Sequence, residues 1–287
     1  MNAESRPDWY METGPGGLRF LRSRLLDSLG TVGHFFTLRP DNPEHRLNMG
    51  LHVGDDPLTV IRNRHLVLGQ YGMDPARLTV ARQVHGNRVT LVGADEAGRG
   101  AVDHGDSIPD TDGLITGTAG QPLMGFYADC IPVFLADRKG RAAGILHAGW
   151  RGMAGGIPAR GVEAFCGAFG ADPSELVAVT GPGIGPCCFE VGKEVAGAFS
   201  EAGLEEAVIA EPEGHRVDLP GAAQTLLLRA GIRPENLAVW RMCTCCGPQL
   251  FHSHRRDGSR SGRMAAVIVL HREYDRRADN EHSTEHR

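Results

Sequence analysis

LMGFYADCIPVFLADRKGRAAGILHAGWRG, residues 123–152, carries three apolar runs and places a thiol and an imidazole where those runs turn or end. Leu123 to Ala128, Val133 to Ala136 and Ala142 to His147 read as strands. Their apolar residues are consecutive rather than alternate, so both faces of each strand should be covered. Cys130 falls in the turn between the first two runs, and His147 ends the third. Upstream, QVHG at Gln83 to Gly86 repeats the pattern, with His85 following a strand read over Leu78 to Val84. Two imidazoles and a thiolate form a common catalytic zinc set, three protein ligands with a fourth position open to water or substrate. The same side chains beside apolar strands also suit an ordinary core. Spacing alone leaves both readings open, because distant ligands meet only in the fold.

The remaining elements are read outward from this segment. Val32 to Thr37, Leu47 to Val53, Arg88 to Val92, Leu176 to Thr180, Leu237 to Arg241 and Met264 to Leu270 have the look of strands. In DDPLTVIRNRHLVLGQYG, Asp55 or Asp56 serves as N-cap and Pro57 opens a helix, with Leu58, Ile61, His65 and Leu68 on one face. Further helices are expected from about Gly152, with Val162, Phe165 and Phe169 as the stripe, from Val191, and over Ala222 to Ala230. Strands interleaved with helices in 287 residues of 41% hydrophobic content suggest an α/β fold. A layered architecture around a mixed sheet is expected, and no clear linker divides the chain.

The net charge of −5, from 30 basic and 35 acidic residues, provides no basic stripe for nucleic acid. Nothing approaches the ~20 apolar residues of a membrane span. The opening MNAESRPDWYMETGPGG lacks the basic and apolar regions of a signal peptide. A cytoplasmic location is expected, where the seven cysteines, an odd number, should stay reduced. The CTCC run at Cys243 to Cys246 invites a zinc-ribbon reading, but a ribbon needs a second spaced pair and Cys187-Cys188 is adjacent. The expectation there is a tight turn with small, semi-buried thiols.

Three glycine-rich turns, DTDGLITG near Asp112, HAGWRGMAGG after His147 and GPGIGPCC after Thr180, allow close backbone approach and equally suit plain connections. HAGWRGMAGG leads from strand to helix, so its amides and Arg151 are candidates for an anion. In HSHRRDG at His252 to Gly258, Arg255 or Arg256 is a candidate for holding phosphate in bidentate fashion, while Asp257 orients an Arg or meets a sugar hydroxyl. Asn48, in LNMGLH, is either a substrate contact or a turn cap.

Taken together, LNMGLHVGDDP, RQVHGNRV, TDGLIT, YADCIPVFLAD, GILHAGWRG, GPGIGPCCFEVG and CTCC followed by FHSHRRDGSRSGRMAAVI resemble the YfiH family. Its members are also described as polyphenol-oxidase-like or laccase-domain proteins and as zinc-dependent purine nucleoside phosphorylases. The resemblance runs from about Gly33 to Leu270. It implies a YfiH-like domain over residues 31–271, preceded by an N-terminal extension, 1–30, and followed by a polar tail, 272–287. It implies zinc on His85, Cys130 and His147, with a small-molecule purine nucleoside and phosphate as substrates. The implied reaction is phosphorolysis of adenosine, inosine or methylthioadenosine, with adenosine deamination as a second activity; Asn48, Arg151, Arg255 and Asp257 are the substrate candidates. Three alternatives accompany it: copper-dependent phenol oxidation, a Cys130/His147 hydrolase, and peptidoglycan editing. Only one HxH pair, His252 and His254, stands in the sequence apart from the three candidate ligands, which weakens a multicopper reading.

Overall fold

The computed structural model describes residues 8–41 and 46–271; the polar tail expected over 272–287 lies outside them. The strands are β1 (Trp9–Thr13), β2 (Arg19–Ser23), β3 (Val32–Thr37), β4 (Thr79–Val80), β5 (Val89–Leu91), β6 (Gly113–Thr116), β7 (Leu123–Tyr127), β8 (Ile131–Asp137), β9 (Ala143–Ala148), β10 (Leu176–Thr180), β11 (Glu190–Val191), β12 (Val208–Glu211), β13 (Gly214–Val217), β14 (Leu237–Val239) and β15 (Met264–Leu270). The helices are α1 (Arg24–Asp27), α2 (Pro57–Gly69), α3 (Trp150–Ala154), α4 (Ile157–Phe169), α5 (Lys193–Glu201), α6 (Leu219–Arg229) and α7 (His254–Asp257).

Two mixed six-stranded sheets stack face to face, in the orders β1-β2-β3-β15-β7-β4 and β14-β10-β8-β9-β6-β5, with a small third sheet β11-β13-β12. The consecutive apolar residues of β8 follow from this layering. Phe134 and Ala136 point between the sheets with Phe36, Tyr127 and Ile268. Val133 and Leu135 point outward with Val162, Phe165 and Leu227 of α4 and α6. In β15, Ala266 and Ile268 enter the inter-sheet core, while Ala265 and Val267 pack with Val67 and Leu68 of α2. The order of layers is therefore helix, sheet, sheet, helices. Each fully buried Phe or Leu contributes about 1.5–3 kcal/mol of transfer free energy, so a polar residue at Phe134 would strike both the core and the sheet pairing. The stretch read as an N-terminal extension contributes β1 and β2 to the first sheet.

Two local expectations need correction. Leu47 to Val53 is no strand: Leu47 has φ 45°, and the chain turns around Asn48, whose side chain bonds both ends of Gly50. In α2 the cap and Pro57 stand as expected, but the buried face is Val60, Arg64, Val67 and Leu68, while Leu58 and His65 face solvent. Arg64 dictates that rotation. Its buried guanidinium donates to the carbonyls of Met49, Gly100 and Ala101 at 2.7–2.9 Å, satisfying a charge that hydrophobic periodicity would have placed outside.

Candidate metal centre

The stacked sheets bring together three segments far apart in sequence. Cys130 lies where the chain passes from β7 in one sheet to β8 in the other, His147 lies in β9, and His85 lies in the loop between β4 and β5. One donor atom from each falls within 4.8 Å of the other two. The imidazoles meet edge to face, with centroids 4.8 Å apart. His147 is buried, Cys130 half-buried and His85 exposed, so the group is held from within and open on the His85 side.

Asp112 organises it. The buried carboxylate accepts from the backbone N–H groups of His85 (2.9 Å), Gly86 (2.7 Å) and Val84 (3.2 Å), fixing a loop in which His85 has φ 61°. Its Oδ1 also lies 2.8 Å from His147 Nδ1. An ionised carboxylate only accepts, so Nδ1 carries the proton and the Nε2 lone pair is left for the centre. Burial alone would raise the Asp112 pKa, but His147 and the Gly86 and Val84 amides hold it below the usual carboxylate value. Burial likewise pushes the Cys130 thiol up, yet His147 and His85 pull it below its ordinary value. His147 moves the opposite way: burial disfavours its cation, but Cys130 and Asp112 raise its pKa. Polar groups are therefore arranged to favour a thiolate at Cys130.

Asp129 secures Cys130 from the other side. It adopts φ 93°, costly for a residue with a Cβ. It is held there by Thr244 Oγ1 (2.6 Å), Ser253 Oγ (3.0 Å) and the Arg255 amide (2.7 Å), while its carbonyl accepts from the Ile184 amide (2.8 Å). Gly149 supplies the space: a Cβ there would stand 3.0 Å from His85 Cδ2 and 3.1 Å from Cys130 Sγ.

The other expected site residues are dispersed. Asn48 is buried, and its Oδ1 accepts from the Gly50 and Arg263 amides, which makes it a turn cap. It borders a cavity of about 710 Å³ lined also by Asp55, Asp56, Thr59 and Asn63, which contains none of the three donors. Arg151 is exposed and lies over the Trp150 ring at 4.3 Å. Arg255 donates to the carbonyls of Cys188 and Glu190, both at 2.9 Å. Asp257 orients Arg256, which in turn holds the carbonyls of Thr244, Cys245 and Phe251. His252 Nε2 is 2.8 Å from the Arg46 carbonyl, and neither His252 nor His254 joins a donor cluster among the described residues. Arg263 was not singled out from the sequence. Burial lowers its pKa while Cys130 and Asp129 oppose that, so a half-buried guanidinium shares the electrostatic field of the centre. Asp112 and Asp129 also escaped notice as organisers, because a carboxylate in a glycine-rich turn or beside a Cys signals nothing until its amide partners are known.

A family model described as multi-copper polyphenol oxidoreductase laccase matches residues 34–271. The purine nucleoside phosphorylase YlmD of Geobacillus stearothermophilus is 36% identical over 236 residues, 81% of this chain and 86% of that protein. Adenosine deaminase RL5, from an unknown prokaryotic organism, is 35% identical over 228 residues, 77% of this chain and 86% of its own. The crystal structure of YlmD from Geobacillus stearothermophilus superposes with a TM-score of 0.86 at 32% identity, covering 93% of this chain and all of that one. The matched span takes in His85, Cys130, His147 and the two aspartates that hold them, and the chain belongs to this YfiH-type family of laccase-like polyphenol oxidoreductase domains.

Proposed function

We propose that the chain is a zinc-dependent purine nucleoside phosphorylase with adenosine deaminase activity, working at His85, Cys130 and His147. The observation that carries the reading is the open three-donor group with Asp112 behind His147. Two imidazoles and a thiolate suit zinc by ligand softness and number, and the exposed His85 side leaves a position for substrate. The names of the two relatives supply the reaction class. When bound, zinc supplies Lewis acidity at that open position.

The chain's own residues do the rest. Phosphorolysis breaks the bond between the ribose anomeric carbon and the purine nitrogen and joins that carbon to a phosphate oxygen. Deamination exchanges the purine amine for a water oxygen. Asp112 fixes the His147 tautomer, and His147 and His85 favour the charged form of Cys130. Arg151 and Arg263 offer positive charge for phosphate, Arg151 from the exposed strand-to-helix turn and Arg263 from the half-buried flank. Arg255, with Nη1 and Nη2 each given to a carbonyl, supports the site instead of meeting phosphate, whereas Arg263 gives only Nη1 to the Ser261 and Gly262 carbonyls. A cytoplasmic location accompanies this reading, since reducing conditions preserve a thiolate ligand. Purified protein given adenosine or inosine should release free base and ribose-1-phosphate only with phosphate present, and adenosine alone should yield inosine. Chromatography that finds no phosphate-dependent base release would remove the phosphorylase reading.

A second reading has its own observation: Cys130, His147 and Asp112 line up as thiolate, imidazole and orienting carboxylate, the arrangement of a cysteine hydrolase. Iodoacetamide separates the two. A zinc ligand labels slowly until a chelator strips the metal, whereas a nucleophile labels rapidly in the zinc-loaded protein.

A further inference from the structure

Away from the mixed centre, the sulfurs of Cys187, Cys188, Cys243 and Cys246 lie within 4.8 Å of one another. Cys246 Sγ is 3.5 Å from that of Cys187 and 3.4 Å from that of Cys188. A tetrahedral tetrathiolate with metal–sulfur bonds of ~2.3 Å has its sulfurs ~3.8 Å apart, so these four need little adjustment to reach that geometry. The vicinal pair that argued against a metal in the sequence becomes compatible with one because the turn separates its two thiols. The Cys188 and Phe189 amides both bond the Gly185 carbonyl, at 3.1 and 3.0 Å. Cys243 and Cys246 have the C-x-x-C spacing of a metal-binding turn. Gly183 bridges to Cys243, and a Cβ on Gly185 would stand 3.3 Å from that of Cys243, so the two turns are in contact.

Charge points the same way. Four thiolates around a dication leave a formal charge of about −2. Two guanidiniums bond the carbonyls of the vicinal pair, Arg216 on Cys187 (3.2 Å) and Arg255 on Cys188 (2.9 Å). A single disulfide would use only two of the four sulfurs.

We propose that Cys187, Cys188, Cys243 and Cys246 form a second, structural zinc site that clamps the 183–188 turn to the 243–246 turn behind the mixed centre. Both turns bond Asp129, through the Ile184 amide and Thr244 Oγ1, and Asp129 precedes Cys130. The clamp therefore braces a ligand of the first site while leaving no coordination position for substrate.

The test is zinc content by elemental mass spectrometry on full-length protein purified under reducing conditions, with and without His147→Ala to empty the mixed centre. In both backgrounds Cys246→Ser and Cys187→Ser should each remove about one zinc per chain. Cobalt(II) loaded into the His147→Ala protein should give the intense sulfur-to-metal absorption of a tetrathiolate, and the same loading of the His147→Ala/Cys246→Ser protein should not. That spectrum also guards against a cysteine variant that fails to fold, since it is first read with all four thiols intact. Unchanged zinc in both cysteine variants, no tetrathiolate absorption, or a disulfide between any two of the four in the reduced, purified protein would overturn the proposal. None of these readouts depends on the reaction catalysed at His147.

Discussion

At the mixed centre, two imidazoles and one thiolate are backed by a carboxylate and open to solvent through His85. At the cysteine cluster, four thiols are backed by arginine-bound carbonyls. Asp129 touches the supports of both, yet the two places are built for opposite ends. Mixed ligands with a side-chain second layer leave a donor position free and allow proton placement at a named atom. Thiols alone, drawn from two short turns, make a closed fastener. The contrast teaches that ligand type and what stands behind it separate a working site from a structural one.

The largest effect expected is from His147→Ala. It removes one of three donors and strands the Asp112 carboxylate, so nucleoside cleavage should fall by about 10³-fold, the ~4 kcal/mol scale of lost charge stabilisation. Chromatographic product assays check this, with zinc content read in parallel. Activity surviving within tenfold would break the comparison, since the mixed centre would then not be the working one.

Asp112→Asn should cost less. The amide is nearly isosteric but carries no charge, and its NH2 group cannot accept from the Val84, His85 and Gly86 amides as both carboxylate oxygens do. We expect a 10–100-fold loss of zinc affinity, the usual cost of removing such a partner, measured by chelator competition. Equal zinc affinity in the two proteins would move Asp112 from positioning residue to loop support.

The three donors were legible in the sequence because each is a residue type with few other reasons to stand at the edge of an apolar strand. The apolar runs at Leu123 to Ala128 and Val133 to Ala136 likewise announced burial on both faces, and β7 and β8 obey it. What the sequence concealed depends on partners brought from afar. Asp112 reads as turn filler until three amides and an imidazole converge on it. Arg64 reads as a solvent face until three carbonyls take its guanidinium, and the helix rotates accordingly. The cysteine pairs read as unmatched because adjacency in sequence hides the separation a tight turn gives two side chains.

A smaller, selective effect should follow Arg151→Ala. The guanidinium is exposed on Trp150 and bonds no carboxylate among the described residues, so its loss should spare the fold. If it holds phosphate, phosphorolysis should weaken about tenfold through the phosphate KM, while deamination, which needs no anion, stays near wild type. Equal losses in both reactions would assign Arg151 to nucleoside binding or to the turn.

His252 should affect the chemistry least. It precedes Ser253, which bonds Asp129, yet its own Nε2–H donates to the Arg46 carbonyl and belongs to neither donor group. Burial, reinforced by Arg39 and Arg46, pushes its pKa down to about 4. A histidine whose folded pKa lies below its unfolded value contributes stability above the unfolded pKa, about 6.5, and loses it as pH falls toward the folded one. Between pH 8 and pH 5 that loss amounts to about 2 kcal/mol for this one group. His252→Gln keeps an N–H donor without the titration, so urea unfolding of the variant should lose about 2 kcal/mol less than wild type over that interval. Zinc content and nucleoside cleavage should stay unchanged. His34, also pushed down by burial, to about 3, should preserve the remaining acid sensitivity in both proteins. A variant that loses zinc would instead make His252 a metal ligand, and the division between an open mixed centre and a closed thiolate clamp would have to admit a third site.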